Sequence, residues 1–239
     1  MYSEGFIEEA ISLVKEFLPE ANWQMETDYA ILFLKEKNKT ICFITNVALH
    51  KIPVLKFRHY ITEFHWNSNR EASKSRLCSL MGVTKRIHAR QCTLGRISRT
   101  EAKLFVDANH TMGYANSYFN YALFYKQDVV AMACFSKGRR MDRLPQNKKS
   151  FELIRFCNKN YFTVVGGLSK LIHYFEEEQK PGDMMTYVDM VWGEPDTYYA
   201  LGFVLDQITP AITITIQSLG EMENEYTNKG NYKLIKNRV

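Results

Sequence analysis

Phe6, Ile7, Ala10, Ile11, Val14, Phe17 and Leu18 recur at spacings of three and four, which predicts an amphipathic helix over residues 5–18 that Pro19 stops. Apolar runs at 29–35 and 40–45 flank the polar tetrapeptide Glu36-Lys37-Asn38-Lys39 and predict two strands around that turn. Residues 54–64 predict a third strand, and 69–81 a basic helix that Gly82 ends as its C-cap. These elements describe a small α/β module over residues 1–84.

Residues 85–239 read as a second, larger domain. Residues 87–97 predict a strand. Ser98 and Glu101 have the spacing of a capping box, with Ala102, Phe105 and Val106 on the inward face of the helix that follows. Runs at 118–125 and 129–135 around Lys126-Gln127-Asp128 predict an antiparallel hairpin. The basic segment 137–149, with Pro145, reads as a mobile loop. Residues 213–216 and 232–235 add two last strands across a hydrophilic connector.

The chain is organised around residues 151–203. A strand leads through Gly166-Gly167 into a helix whose Leu168, Leu171, Ile172 and Phe175 share one face. A second strand and a short helix closed by Gly202 follow. A helix N-terminus offers free backbone N–H groups and the positive end of its dipole, and glycines let the backbone approach a ligand, so the turn suits phosphate.

Charge adds a second theme. The net charge of +5 is unevenly spread. Residues 51–99 carry eleven Lys or Arg against Glu63 and Glu71 only. Arg76, Lys85, Arg86, Arg90 and Arg96 are therefore candidate contacts for DNA or another nucleic acid. The alternatives are a solvated basic face and charges that serve an anionic cofactor. Five cysteines without a CxxC pair indicate a reduced, cytoplasmic protein with buried thiols. No apolar run is long enough to span a membrane, and Glu4, Glu8 and Glu9 argue against a signal peptide. The six histidines lack metal-ligand spacing, so no metal is expected.

The order of elements, with Tyr198-Tyr199-Ala200-Leu201-Gly202-Phe203 at the end, resembles the GNAT acyltransferase fold, whose last helix ends LYxxxGF. The resemblance implies an α/β (α+β) architecture: a mixed, mostly antiparallel sheet flanked by helices, preceded here by the small α/β module. Several collinear blocks between residues 63 and 203 are also similar to phage and mobile-element proteins labelled homing-endonuclease-associated. Among them are Ser75-Arg76-Leu77, Ile87-His88-Ala89-Arg90-Gln91-Cys92, Leu153-Ile154-Arg155-Phe156-Cys157 and Tyr187-Val188-Asp189 with Trp192. That resemblance implies a Vsr-like PD-(D/E)XK nuclease region followed by a GNAT-like domain in a bacterial or phage-infected cell. Phe43 stands where the nuclease needs a metal-holding Glu, and Asp28, Glu36 and Glu63 do not restore the pattern. The first module therefore reads as degenerate.

The resemblance implies acetyl-CoA or another acyl-CoA as cofactor and an amine as acceptor. Val165, Gly166, Gly167, Leu168, Ser169 and Lys170 match the pyrophosphate loop, although the adjacent glycines depart from its usual Q/R-x-x-G-x-G/A pattern. Tyr198 matches the acid that protonates the thiolate, with Tyr199 one register away. Glu152 and Asp189 are candidate bases, and His110 a candidate proton carrier. Asp189 lies in the apolar run Met185–Trp192, where a carboxylate needs a partner; backbone or Arg155 is the structural alternative. Trp192 reads as core packing or as a stacking platform. Three functions fit these residues: an N-acyltransferase, a non-catalytic DNA-binding accessory protein, and a metal-dependent nuclease.

Overall fold

A computed structural model describes residues 3–27, 29–51, 56–216 and 224–237. Asp28 lies outside the described residues, as does the side chain of Glu36. The first helix covers Ser3–Phe17 (α1). Strands Asn22–Met25 (β1), Tyr29–Leu34 (β2), Lys39–Ile44 (β3) and His59–Thr62 (β4) form a sheet in the order β1-β2-β3-β4, antiparallel except for the β3–β4 pair. Helices Asn46–Lys51 (α2), Glu63–Ser68 (α3) and Arg70–Met81 (α4) complete the module. The α1 stripe of Phe6, Ile7, Ala10 and Val14 packs on Leu32, Ile41, Phe43 and Ile61 of the sheet and on Trp66 and Leu77. Burying each of Phe6, Ile7 and Val14 is worth about 1.5–3 kcal/mol before chain entropy is set against it. Glu9 fastens α1 to α3 and α4: Trp66 Nε1 donates to it at 2.9 Å, and Lys74 lies 2.7 Å away.

The strand predicted over 54–64 is shorter than its apolar pattern. Residues 52–55 lie outside the description, and Thr62 ends the strand by accepting the His65 N–H at 3.2 Å, which starts α3 at Glu63. A hydroxyl placed to cap outweighs the strand propensity of the residues after it.

The second region begins with Lys85–His88 (β5) and Thr93–Arg96 (β6), then Arg99–Asn109 (α5), Phe119–Tyr125 (β7), Asp128–Phe135 (β8), Ser150–Asn158 (β9) and Phe162–Val165 (β10). Gly167–Gln179 (α6), Asp183–Asp189 (β11), Asp196–Tyr199 (α7), Val204–Thr209 (β12), Thr213–Ile216 (β13), Asn224–Thr227 (β14) and Asn231–Asn237 (β15) follow. A seven-stranded sheet has the order β12-β15-β11-β9-β8-β7-β6. Its pairs are antiparallel except β9 with β11. The mixed α/β sheet and element order are those that the GNAT resemblance implies.

Period-two alternation decides the two faces. Tyr121, Leu123, Ala131, Ala133 and Phe135 pack under α6, whereas Ala122, Met132 and Cys134 pack under α5. Phe135 and Phe175 stack at 3.9 Å. The predicted strand 87–97 divides into β5 and β6 around a 3-10 turn, Ala89–Gln91. The reason is tertiary: β5 pairs in parallel with β10, a strand the sequence pattern did not separate, whereas β6 pairs with β7. Lys170 Nζ holds the turn by donating to the carbonyls of Ala89 (3.0 Å) and Cys92 (2.6 Å).

The loop over 137–149, expected to be mobile, is fastened. Arg139 and Ser150 exchange backbone hydrogen bonds of 2.8 and 2.9 Å. Arg143 donates from Nε (3.0 Å) and Nη2 (2.6 Å) to Asp183, which is fully buried at the start of β11. The four-stranded and seven-stranded sheets are separate, and the regions meet through a shared cluster in which Phe64 stacks on Tyr226 at 4.4 Å. All five cysteines are free and buried. Among the described residues no helix is long and apolar enough to cross a membrane.

Candidate functional site

The site grows from one strand pair. β9 and β11 are paired only over Ser150–Glu152 and Asp183–Met185. Thr186 Oγ1 then donates to the Leu153 carbonyl at 2.9 Å, the last link before the strands part. β11 stays on β15 to Asp189, and β9 stays on β8 to Asn158. Between them opens a cleft of about 510 Å³. The parting has a local cause in β9. Cys134 faces Arg155 and Phe135 faces Leu153, which leaves Ile154 as the extra residue of a bulge. A bulge bends its strand and leaves one residue unpaired.

The cleft reaches α6, whose Leu168 lines it. Gly166 has φ +75°, a conformation an L-residue adopts only with strain, and it turns β10 into the helix. The first helical bond joins Lys170 N to the Gly166 carbonyl at 3.0 Å, so the N–H groups of Gly167, Leu168 and Ser169 precede it. Among the described residues no side chain caps this end, and no acidic residue lies in the first turn. By contrast α5 carries its predicted cap, with Ser98 Oγ accepting the Glu101 N–H and the Glu101 carboxylate accepting the Ser98 N–H. Lys170, the last residue of the stretch that matches the pyrophosphate loop, is committed to the carbonyls of Ala89 and Cys92. The turn's attraction for anions is therefore left to its amides and dipole.

Tyr198, Asp189 and His110 all line the cleft. Tyr198 packs edge-on against Phe203 (5.6 Å), and burial pushes its phenol up to about 12. Its neighbour Tyr199 is exposed, so the register that brings a phenol to the cleft is that of Tyr198. Asp189 accepts from Val191 N at 2.8 Å and from Asn228 Nδ2 at 3.3 Å; burial raises its pKa despite these donors. Arg155 does not pair with it. That guanidinium donates to the carbonyls of Gly113 and Ile154, both at 3.0 Å, and packs beside the bulge. His110 caps α5 and accepts the Met112 N–H at Nδ1 (3.1 Å). Burial, helped by Arg155 and His65, drives its pKa down to about 3, so the ring is neutral.

Glu152 opens elsewhere. It lines a second hollow, of about 550 Å³, with Arg99, Tyr118, Lys137 and Arg139. Burial raises its pKa, and the charges of Arg139 and Arg155 oppose the rise. Ile154 lines both hollows, so the bulge is where they meet.

The basic candidates separate. Lys85, Arg86 and Arg90 are exposed, and Arg96 is exposed but paired with Glu178. Arg76 is not a surface contact. Its guanidinium stacks 3.5 Å over Trp192, whose carbonyl accepts from Nη2, and it faces the cleft together with Leu80, His59 and His65. Sequence reasoning missed these contributions of the first module. A signal was present: Arg76 shares a helical stripe with Ala72, Ser73 and Leu80. The position where the nuclease needs Glu is filled by Phe43, fully buried in the core of the module. Among the described residues no group of three His, Cys, Asp or Glu is placed to hold a metal.

No family model matches the chain, and no curated protein matches it. Solved structures similar to it include a GNAT family acetyltransferase from Elizabethkingia anophelis with acetyl-CoA bound, 13% identical over 62% of this chain and 99% of that one (TM-score 0.44). Naa50 of Arabidopsis thaliana in complex with a bisubstrate analogue, CoA-Ac-MVNAL, is 11% identical over 62% and 99% (TM-score 0.47). A Bacillus subtilis acetyltransferase in complex with CoA is 14% identical over 62% and 99% (TM-score 0.42).

Proposed function

We propose that the protein is an acyl-CoA-dependent N-acyltransferase that takes the acyl-CoA in the cleft between β9 and β11 and the acceptor amine in the hollow holding Glu152. The observation that carries this reading is the parting of two parallel strands into a cleft that reaches an uncapped helix N-terminus. A cleft of about 510 Å³ is of the size that ligand sites use, and the bare amides of Gly167, Leu168 and Ser169 suit a pyrophosphate. Free strand edges can bind an extended amide-bearing chain by main-chain hydrogen bonds.

The thioester, when bound, supplies the acyl group. Glu152 is the base: its carboxylate is held above the ordinary carboxylate range, closer to a useful proton affinity, and accepts the proton that the amine sheds. Tyr198 is the acid: a phenol pushed up to about 12 stays protonated at neutral pH and donates its Oη proton to the departing thiolate. Asp189 and neutral His110 line the cleft in a holding role, since each is already engaged by backbone N–H groups.

Titration calorimetry with acetyl-CoA tests the reading. Ser169→Glu is the informative variant. Ser169 is exposed in the first turn of α6, where a carboxylate complements the dipole and keeps the fold intact. The same carboxylate repels a pyrophosphate, so affinity should fall at least about tenfold while Tm holds or rises. Absence of wild-type binding, or equal binding by the variant, removes the proposal.

A further inference from the structure

Arg76 reaches the cleft from outside the sheet that builds it. It sits on α4, and Leu80, one turn further along the same helix, lines the cleft beside it. Hydrogen bonds hold α4 against the strand that leads into α6: Ser75 Oγ accepts the Tyr161 N–H at 2.8 Å, and Glu71 accepts the Tyr161 hydroxyl at 2.7 Å. The guanidinium is therefore fixed by the fold.

Its bonding is incomplete. One face lies on the Trp192 ring, and Nη2 donates to the Trp192 carbonyl. Nε is shut off from solvent and, among the described residues, has no hydrogen-bond partner. Asp189 is the carboxylate whose charge Arg76 feels, but its oxygens already take the Val191 N–H and the Asn228 amide. Burial outweighs that attraction and lowers the Arg76 pKa to about 9. His59 and His65 beside it are neutral, with pKa values pushed down to about 4 and about 3 by burial and by Arg76 itself. A guanidinium short of acceptors and withdrawn from water is costly to hold, and an anionic oxygen in the cleft that Arg76 lines is the partner that relieves it.

We propose that Arg76 binds an anionic oxygen group, a phosphate or a carboxylate, of the molecule that fills the cleft, so that the N-terminal module completes a ligand site otherwise built by the seven-stranded sheet. In naming the ligand this rests on the acyl-CoA reading: the anion is either a phosphate of CoA or a carboxylate on the acyl chain.

The experiment compares wild-type protein with Arg76→Met by thermal shift and calorimetry, using pyrophosphate, pantetheine, acetyl-CoA and succinyl-CoA as probes. Arg76→Met keeps the aliphatic packing on Trp192 and removes a charge whose burial outweighs its attraction to Asp189, so the ligand-free Tm should not fall. If a phosphate is the partner, acetyl-CoA binds the variant about 10- to 100-fold more weakly, and phosphate-free pantetheine binds both proteins alike. If a carboxylate is the partner, wild type prefers succinyl-CoA to acetyl-CoA and Arg76→Met erases that preference alone. Equal affinities of both proteins for every probe overturn the inference and leave the acyl-CoA reading standing. A lowered ligand-free Tm with unchanged affinities also overturns it, by making Arg76 structural. If wild type binds no CoA compound, the acyl-CoA reading fails separately. Pyrophosphate then decides for Arg76, by stabilising wild type and not the variant or by treating them alike. Should Arg76→Met not fold, Arg76→Lys keeps the charge, loses Nε and the planar fork, and carries the same comparison.

Discussion

Glu63 belongs to the four-stranded region and Glu152 to the seven-stranded one; both carboxylates leave the surface, and they are used differently. Glu63 accepts the Asn46 N–H at 3.0 Å, while Asn46 Oδ1 accepts the Phe64 N–H at 3.0 Å, so α2 and α3 cap one another. None of the described residues hydrogen-bonds the Glu152 carboxylate, which faces a hollow with Arg139 near it. Other groups repeat the contrast. Glu9 is shared among Trp66, Lys74 and Arg70, whereas the N-terminal amides of α6 are bare. Glu63 and Glu9 hold helices together, whereas the Glu152 carboxylate and the α6 amides are left short of partners, at a cost in stability that function can explain.

Exchange of each acid for its amide breaks or sharpens this contrast. Glu152→Gln should lower acceptor turnover about 100- to 10,000-fold without lowering Tm, because a desolvated carboxylate becomes a neutral amide. In wild type kcat/KM should rise with pH through a pKa above the ordinary carboxylate value, since the base works deprotonated. Glu63→Gln should do the opposite. It weakens a charge-assisted cap and costs about 1–3 kcal/mol, read as a drop in Tm with turnover per folded molecule unchanged. Were Glu63→Gln to abolish turnover while Glu152→Gln changed only Tm, the roles of the two regions would be inverted.

A further effect links the regions through protons. His65 and His110 have folded-state pKa values pushed to about 3, against about 6.5 in an unfolded chain. Below about pH 6.5 the unfolded chain takes up protons that the folded one refuses. Stability is therefore whole above that pH and falls as pH drops, by up to about 1.4 kcal/mol per pH unit for each histidine. A series of Tm values between about pH 4 and 7 should slope accordingly, and His110→Gln should lessen the slope while leaving the share of His65. An unchanged slope in His110→Gln would remove His110 from this account.

Much of the architecture was legible because its causes are local. The α1 stripe, the Ser98–Glu101 cap, the Gly82 stop and the hairpin around Lys126-Gln127 each depend on residues within a turn or two of one another. Both hairpin residues take positive φ (49° and 73°), as a tight turn between twisted strands requires. The glycine turn was legible for the same reason, whereas Tyr198 was picked out only by the family resemblance. The strand over 87–97 was misread because its break is imposed by Lys170, about eighty residues away, and by pairing with β10. Arg76 was misread because charge in a sequence suggests surface, and only its neighbours reveal burial.

Periodicity and caps in the chain itself thus determined α1, α4, α5, α6 and the β7–β8 hairpin and which of their faces go inward, because backbone geometry repeats over two or 3.6 residues. The parting of β9 and β11 was decided only in three dimensions, by a bulge on one strand and by different outer partners for the two. The meeting of Arg76 with Trp192, 116 residues further on, was decided the same way. Such contacts depend on packing two separate sheets against each other, and no local pattern encodes the distance between residues that the fold brings together.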